Sequence, residues 1–278
     1  MNLTGVFVPM ITPFDESGAV DYSVLEDLAS EILEAGAAGL VGLGTTGEPS
    51  SLTAAERDGV LRVLARVCAR RSAPLIADHP QAVAALSLVP PFVRPGAEGV
   101  VAHFTALAAA GRVPLIVYHV PPRTGQSLDA ATLRRIGALD RVIGVKYATG
   151  ALDADVVALL AGPPPGFAVL SGDDVFLSPL LALGAAGGIL ASAHVATDRF
   201  VALFDAWQAG DPATARRLTH ELTPLSAALF AEPNPTVIKA VLHAQGRIGT
   251  PSVRLPLLPA SDAAREHALG VARLSALS

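Results

Sequence analysis

The chain has 278 residues, 51% of them hydrophobic and 16% charged, enough for a large domain with its own core and unlike the composition of a disordered tail. A formal charge of −5, from 20 basic and 25 acidic residues spread without blocks, leaves no electrostatic footprint for nucleic acid or anionic lipid. The single cysteine, Cys68, has no partner for an internal disulfide. Met1-Asn2-Leu3-Thr4 lacks the basic and apolar regions of a secretory signal, so a cytoplasmic address is expected.

In chain order, short segments rich in Val, Ile and Leu alternate with longer amphipathic ones. The short segments read as strands buried on both faces: Gly5–Pro9, Leu40–Leu43, Leu75–Ala77, Ala84–Val89, Leu115–His119, Val142–Tyr147, Ala168–Ser171 and Gly188–Ala191. Between them, helices are predicted over Tyr22–Ala35, Thr53–Arg70, Glu98–Ala110, Asp129–Ala138, Asp153–Leu160, Val175–Leu183 and Thr197–Ala209. Thr53-Ala-Ala-Glu56 fits a capping box, and Asp21 stands where an N-cap is needed. Ser178 to Thr197 is charge-free and long enough to span a bilayer, but Pro179 and three glycines interrupt it, so it reads as buried helix, turn and strand.

Eight such strands alternating with helices predict an α/β fold, a (β/α)8 TIM barrel over residues 1–210, followed by a C-terminal helical region over 211–278 packed on the barrel. That region is entered through Glu232-Pro-Asn-Pro235. One link is too short. Only six residues, 78–83, separate the third and fourth strands, whereas a crossover with its helix takes at least about 10–12. The third barrel helix is therefore expected to be missing, leaving apolar wall that another subunit would shield.

In a parallel barrel the strand ends converge on one rim, so polar residues at those ends are the candidates for chemistry. Lys146 closes the apolar run Val142–Val145 with no carboxylate within four residues. Burial there favours the neutral amine, a nucleophile toward carbonyl carbon. The other reading is a lysine reaching for solvent or paired with a distant acid. Tyr118 ends another strand; its phenol can relay protons if hydroxyl partners exist, or it can simply rest at the rim in water. Thr45 and Thr46 offer such hydroxyls, in a glycine-bounded turn whose N–H groups suit a carboxylate. Gly42-Leu-Gly-Thr-Thr-Gly47 also matches a dinucleotide fingerprint, but Pro49 and two serines follow it instead of a helix, which argues against NAD. Arg123, in Val120-Pro-Pro-Arg-Thr-Gly125, either grips a substrate carboxylate or is a solvated charge. No histidine or acid spacing calls for a metal.

Taken together, Gly44-Thr-Thr-Gly-Glu48, Tyr118-His-Val-Pro-Pro-Arg-Thr-Gly125, Gly144-Val-Lys-Tyr-Ala-Thr-Gly150, Ser171-Gly-Asp-Asp174 and Glu232-Pro-Asn-Pro235 resemble, in order and spacing, the dihydrodipicolinate synthase and N-acetylneuraminate lyase family. The resemblance implies a pyruvate-dependent class I aldolase, usually a homotetramer, needing no cofactor because Lys146 itself forms an imine with the substrate. By the same analogy Tyr118 shuttles protons, Thr45 belongs to the relay, and Thr46 and Gly47 hold the pyruvate carboxylate. Gly172 and Ile189 join the substrate-binding set, and Arg123 binds the carboxylate of an aldehyde partner. The Arg-Thr-Gly sequence resembles the synthase branch, which condenses pyruvate with aspartate semialdehyde for lysine biosynthesis. Where the family carries a Tyr-Tyr pair, this chain reads Pro90-Pro-Phe-Val-Arg-Pro95, without a phenol. The implied partners are a 2-oxo acid, an aldehyde and further copies of the chain, with neither nucleic acid nor membrane. Two alternatives remain at this point: an aldolase or dehydratase of 2-keto-3-deoxy sugar acids, and a catalytically impaired barrel that only binds a 2-oxo acid.

Overall fold

The computed structural model describes residues 3–276. Its elements, in order, are β1 (Gly5–Pro9), α1 (Tyr22–Glu34), β2 (Gly39–Val41), α2 (Ala54–Arg71), β3 (Leu75–Ile76), β4 (Ala85–Leu88), α3 (Gly96–Ala110), β5 (Leu115–His119), α4 (Pro121–Thr124), α5 (Ala130–Gly137), β6 (Val142–Tyr147), α6 (Ala154–Ala161), β7 (Ala168–Ser171), α7 (Leu177–Ala182), β8 (Gly187–Ile189), α8 (Thr197–Gln208), α9 (Pro212–Leu229), α10 (Thr236–Ala244) and α11 (Asp262–Ala276). The eight parallel strands follow the order β3-β2-β1-β8-β7-β6-β5-β4, that of a (β/α)8 barrel, with α9 to α11 appended. The stretch from Ser178 to Thr197 divides into the end of α7, β8 and a short 3-10 turn, and no helix among the described residues is long and apolar enough to cross a membrane.

Local chemistry sets the boundaries. Asp21, Thr53, Asp129, Asp153 and Asp211 each cap a helix by accepting a backbone N–H with the side chain, and Thr53 and Glu56 form the complete capping box. β2 stops at Val41, short of the predicted Leu43, because Leu43 itself turns to a left-handed φ of 55°. β8 begins at Gly187, where a Cβ would stand 2.0 Å from the carbonyl oxygen of Gly5, so only glycine permits the approach. The four-residue helix α4 has no periodic signal in the sequence and occupies what reads as a proline loop.

The chain divides into two compact units, one holding Gly5 and Ile76–Ile189, the other Val6–Leu75 and the chain from Leu190 onward. In the first, β4 to β8 form a continuous parallel ladder. One face of its strands packs Val117, Val145 and Val169 against Phe104, Leu133, Ile136 and Leu159 of the helices. Each such fully buried side chain contributes roughly 1.5–3 kcal/mol relative to exposure. The opposite face carries Tyr118 in a small cluster with Val120, Ala148, Leu86 and Leu88. In the second unit, α8 and α9 pack on one another and α9 on α11, while Leu25, Leu28 and Ile32 of α1 are buried.

No helix forms between β3 and β4. Ile76 and Ala84 make a parallel bridge, and the residues between them fold into tight turns, His79 N–H donating to Ala77 O and Ala82 N–H to His79 O. The four residues of β4 are consequently only half-buried, whereas all five of β5 are buried. A groove of about 310 Å3 lies over this stretch, lined by Ala85, Ser87, Leu107 and Arg112 among others.

Candidate active site

Strand register assembles the reactive half of the site. Tyr118 on β5 is the direct neighbour of Lys146 on β6, and Lys146 of Leu170 on β7. Since paired residues of adjacent strands point to one face, the phenol and the amine must lie side by side. Lys146 Nζ stands 4.5 Å from the centre of the Tyr118 ring. Lys146 is 6% exposed, and among the described residues no carboxylate oxygen reaches its Nζ within ion-pair distance. The amine is therefore buried beside a phenol and not sequestered by an acid, the arrangement a nucleophilic lysine requires.

Gly172 shapes this pocket by what it lacks. A Cβ there would lie 2.9 Å from Lys146 Cγ and 3.0 Å from Cε, so glycine makes room for the lysine stem. Its N–H is engaged, donating to Tyr147 O at 2.7 Å. Burial pushes the neighbouring Asp173 carboxyl above its ordinary range, while the Gly150 N–H, bonded at 2.7 Å, and the charge of Lys146 act in the opposite sense. Ile189 ends β8 fully buried.

Alternate residues of the same strands face the other way. His119 and Tyr147 are register partners with ring centres 5.3 Å apart, and the Tyr147 hydroxyl donates to Asp153. Burial lowers His119 to about 4, so its imidazole is neutral near pH 7. Arg123 sits exposed on α4, one turn beyond β5. The loop after β4 meets α4, with Phe92 N–H donating to Thr124 O at 3.4 Å and Arg94 packed where Gly125 has no side chain. Phe92 and Val93 at its tip are 89% and 73% exposed.

The second unit presents the threonine turn. Thr45–Gly47 form one turn of 3-10 helix after β2, closed by Gly47 N–H to Gly44 O and Glu48 N–H to Thr45 O. The N–H groups of Thr45 and Thr46, at the head of the turn, take no part in these closing bonds. Thr46 Oγ1 accepts a hydrogen bond from Asn234 Nδ2 at 2.8 Å, and Thr12 Oγ1 donates to Gly47 O at 2.8 Å.

Sequence reasoning finds the turn but not its supports. Asn234 is 188 residues from Thr46, and Lys239, which pairs with Glu48, is 191 residues away. The lone lysine among the apolar residues of α10 is the only local sign, and it names no partner. Burial lowers Lys239 to about 8, the adjacent Glu48 charge acting in the opposite direction.

Comparison with known proteins agrees in extent. The model of the dihydrodipicolinate synthetase family matches residues 2–80 and 79–273, breaking where the helix between β3 and β4 is absent. The 4-hydroxy-tetrahydrodipicolinate synthase of Synechococcus elongatus is 38% identical, covering 94% of this chain and 92% of its own. That of Moorella thermoacetica is 36% identical, covering 94% of each. The chloride-inhibited dihydrodipicolinate synthase of Acinetobacter baumannii, solved with pyruvate, superposes with a TM-score of 0.92 at 33% identity, over 99% of this chain and all of its own.

Proposed function

Because the chain belongs to the dihydrodipicolinate synthetase family, we propose that it is a 4-hydroxy-tetrahydrodipicolinate synthase, joining pyruvate to aspartate semialdehyde through an imine on Lys146. The observation that carries this reading is the Lys146 amine, buried, in no ion pair among the described residues and 4.5 Å from the Tyr118 ring. The amine adds to the C2 carbonyl of pyruvate, and the carbinolamine loses water to give an iminium. Loss of a C3 proton leaves an enamine, whose carbon attacks the aldehyde of the second substrate. Each step moves a proton at the substrate, and Tyr118 is the adjacent group that can carry it, with Thr45 as its hydroxyl partner. Thr46, Gly47 and the head of their turn receive the pyruvate carboxylate. Arg123 takes the carboxylate of the aldehyde by paired hydrogen bonds. Gly172 and Ile189 line the pocket beside the adduct.

No separate cofactor enters this scheme, since the iminium itself is the electron sink. The working form proposed is a homo-oligomer acting in the cytoplasm, a state that would cover the exposed Phe92 and Val93. The sugar-acid and binding-only alternatives are disfavoured by relatives that carry the synthase name over nearly the whole chain.

Trapping tests the chemistry directly. Incubation with pyruvate and borohydride is expected to add one reduced pyruvate to Lys146, located by peptide mass spectrometry; folded protein without an adduct would leave only the binding role. Pyruvate consumption with aspartate semialdehyde, set against cleavage of 2-keto-3-deoxygluconate, then assigns the second substrate. Turnover of the sugar acid alone would refute the synthase assignment.

A further inference from the structure

Glu48 adopts a left-handed backbone conformation, φ 53° and ψ 41°, although it bears a side chain. A residue of this kind stays there only where its surroundings over-determine it, and such outliers gather at functional sites. Here the strained residue is the one that closes the threonine turn, its N–H donating to Thr45 O. What over-determines it is its carboxylate, buried and held on both oxygens. Lys239 Nζ donates to Oε1 at 2.6 Å, and Arg254 N–H donates to Oε2 at 2.9 Å.

Lys239 is itself fully buried and fixed from three directions. Besides Glu48 it donates to Ser252 O at 2.8 Å, and its Nζ lies 4.1 Å from the centre of the Phe14 ring, against which the Arg254 guanidinium also stacks at 4.4 Å. A buried ion pair is a poor source of net stability, because desolvating both charges costs about as much as their attraction returns. An apolar pair of equal volume would serve packing as well. What it could not do is grip one backbone position that would otherwise relax.

Resting on the reading of the threonine turn as the pyruvate-carboxylate site, we propose that Lys239 is a positioning residue that, through its buried ion pair with Glu48, holds the Thr45–Gly47 turn in the shape that binds the carboxylate of a 2-oxo acid. It touches no substrate. Its effect is exerted on the geometry of the turn, and so on substrate affinity, while the amine chemistry of Lys146 is left as it is.

The test replaces the pair, since Lys239→Met alone would strand a buried carboxylate. In full-length protein carrying Lys239→Met and Glu48→Leu, both charges vanish and volume is kept. The melting temperature is expected to stay near that of the unaltered protein. The pyruvate concentration giving half-maximal borohydride trapping should rise at least about tenfold, while the trapping rate at saturating pyruvate changes less than about threefold. A second variant, Lys239→Met with Glu48→Gln, retains an acceptor for the Arg254 N–H and is expected to recover part of the lost affinity; it also answers the question if the first fails to fold. Unchanged half-saturation in a folded double variant would overturn the proposal. So would equal losses of saturation and maximal rate together with native circular dichroism, which would mark a merely structural pair. If the unaltered protein itself forms no adduct, the failure belongs to the imine reading and not to this one.

Discussion

The two units of the chain treat their polar groups in opposite ways. In the unit of β4 to β8, Lys146 and Tyr118 are placed by strand register alone, with the amine free of acidic partners among the described residues. In the other, Thr46, Gly47 and Glu48 are each tied by side-chain bonds to distant parts of the sequence. A group that must make and break covalent bonds needs its lone pair unengaged, whereas a group that binds an anion gains from being fixed beforehand. The contrast teaches that rate and affinity should be separable by mutation, unit by unit.

The largest break expected is Lys146→Ala, which removes the nucleophile. Turnover should fall by at least about 10^3–10^4-fold and trapping should vanish, with thermal stability retained, as measured by a coupled assay and peptide mass spectrometry. Trapping at another lysine would dissolve the comparison at its root. Tyr118→Phe comes next, lowering kcat by about 10^2–10^4-fold with little change in the KM for pyruvate, because the ring still packs beside Lys146 while the relayed proton is lost. Thr46→Val should do the reverse. Losing one hydrogen bond to a charged group is worth about 1.5–3 kcal/mol, or roughly 10–150-fold in pyruvate KM, and a kcat effect exceeding the KM effect would contradict the division drawn here.

The last expected effect is read in stability against pH, not in activity, and it reaches into both units. Burial lowers His119 and His194 to about 4 from an ordinary 6.5. For each, the unfolded chain binds a proton at higher pH than the folded one, so stability is complete above about 6.5 and declines as pH falls from there toward 4. The slope is at most about 1.4 kcal/mol per pH unit per histidine. Denaturant melts at pH 7 and pH 5 should show it, and His194→Gln should flatten the second unit's share. Identical melts would mean that neither ring is held neutral.

How much of the fold and site is legible in the sequence follows from the range of the signals. All eight strands are visible as apolar runs, and Lys146 stands out because a lone amine in such a run is chemically conspicuous. The absent helix is legible from arithmetic alone, as six residues cannot hold a crossover. What stays hidden is either long-range or conformational. Nothing near Glu48 announces Lys239, and nothing near Thr46 announces Asn234, because these bonds join residues nearly two hundred positions apart. The end of β2 falls short of its apolar run for a different reason, since a left-handed leucine at Leu43 runs against its ordinary preference. α4 leaves no mark in the sequence because four residues opened by two prolines carry no period.

The bare stretch beside β4 has a consequence for motion. A strand that lacks the helix on one of its flanks and is only half-buried has fewer packed layers between its amides and solvent, so it opens at lower free energy than its neighbours. Deuterium should therefore enter Ala85–Leu88 well before it enters Leu115–His119, although the two strands are paired residue for residue. A fold usually protected evenly around its circumference thus acquires one soft side, and whatever association or ligand seals that side would be recorded as slowed exchange in four consecutive amides.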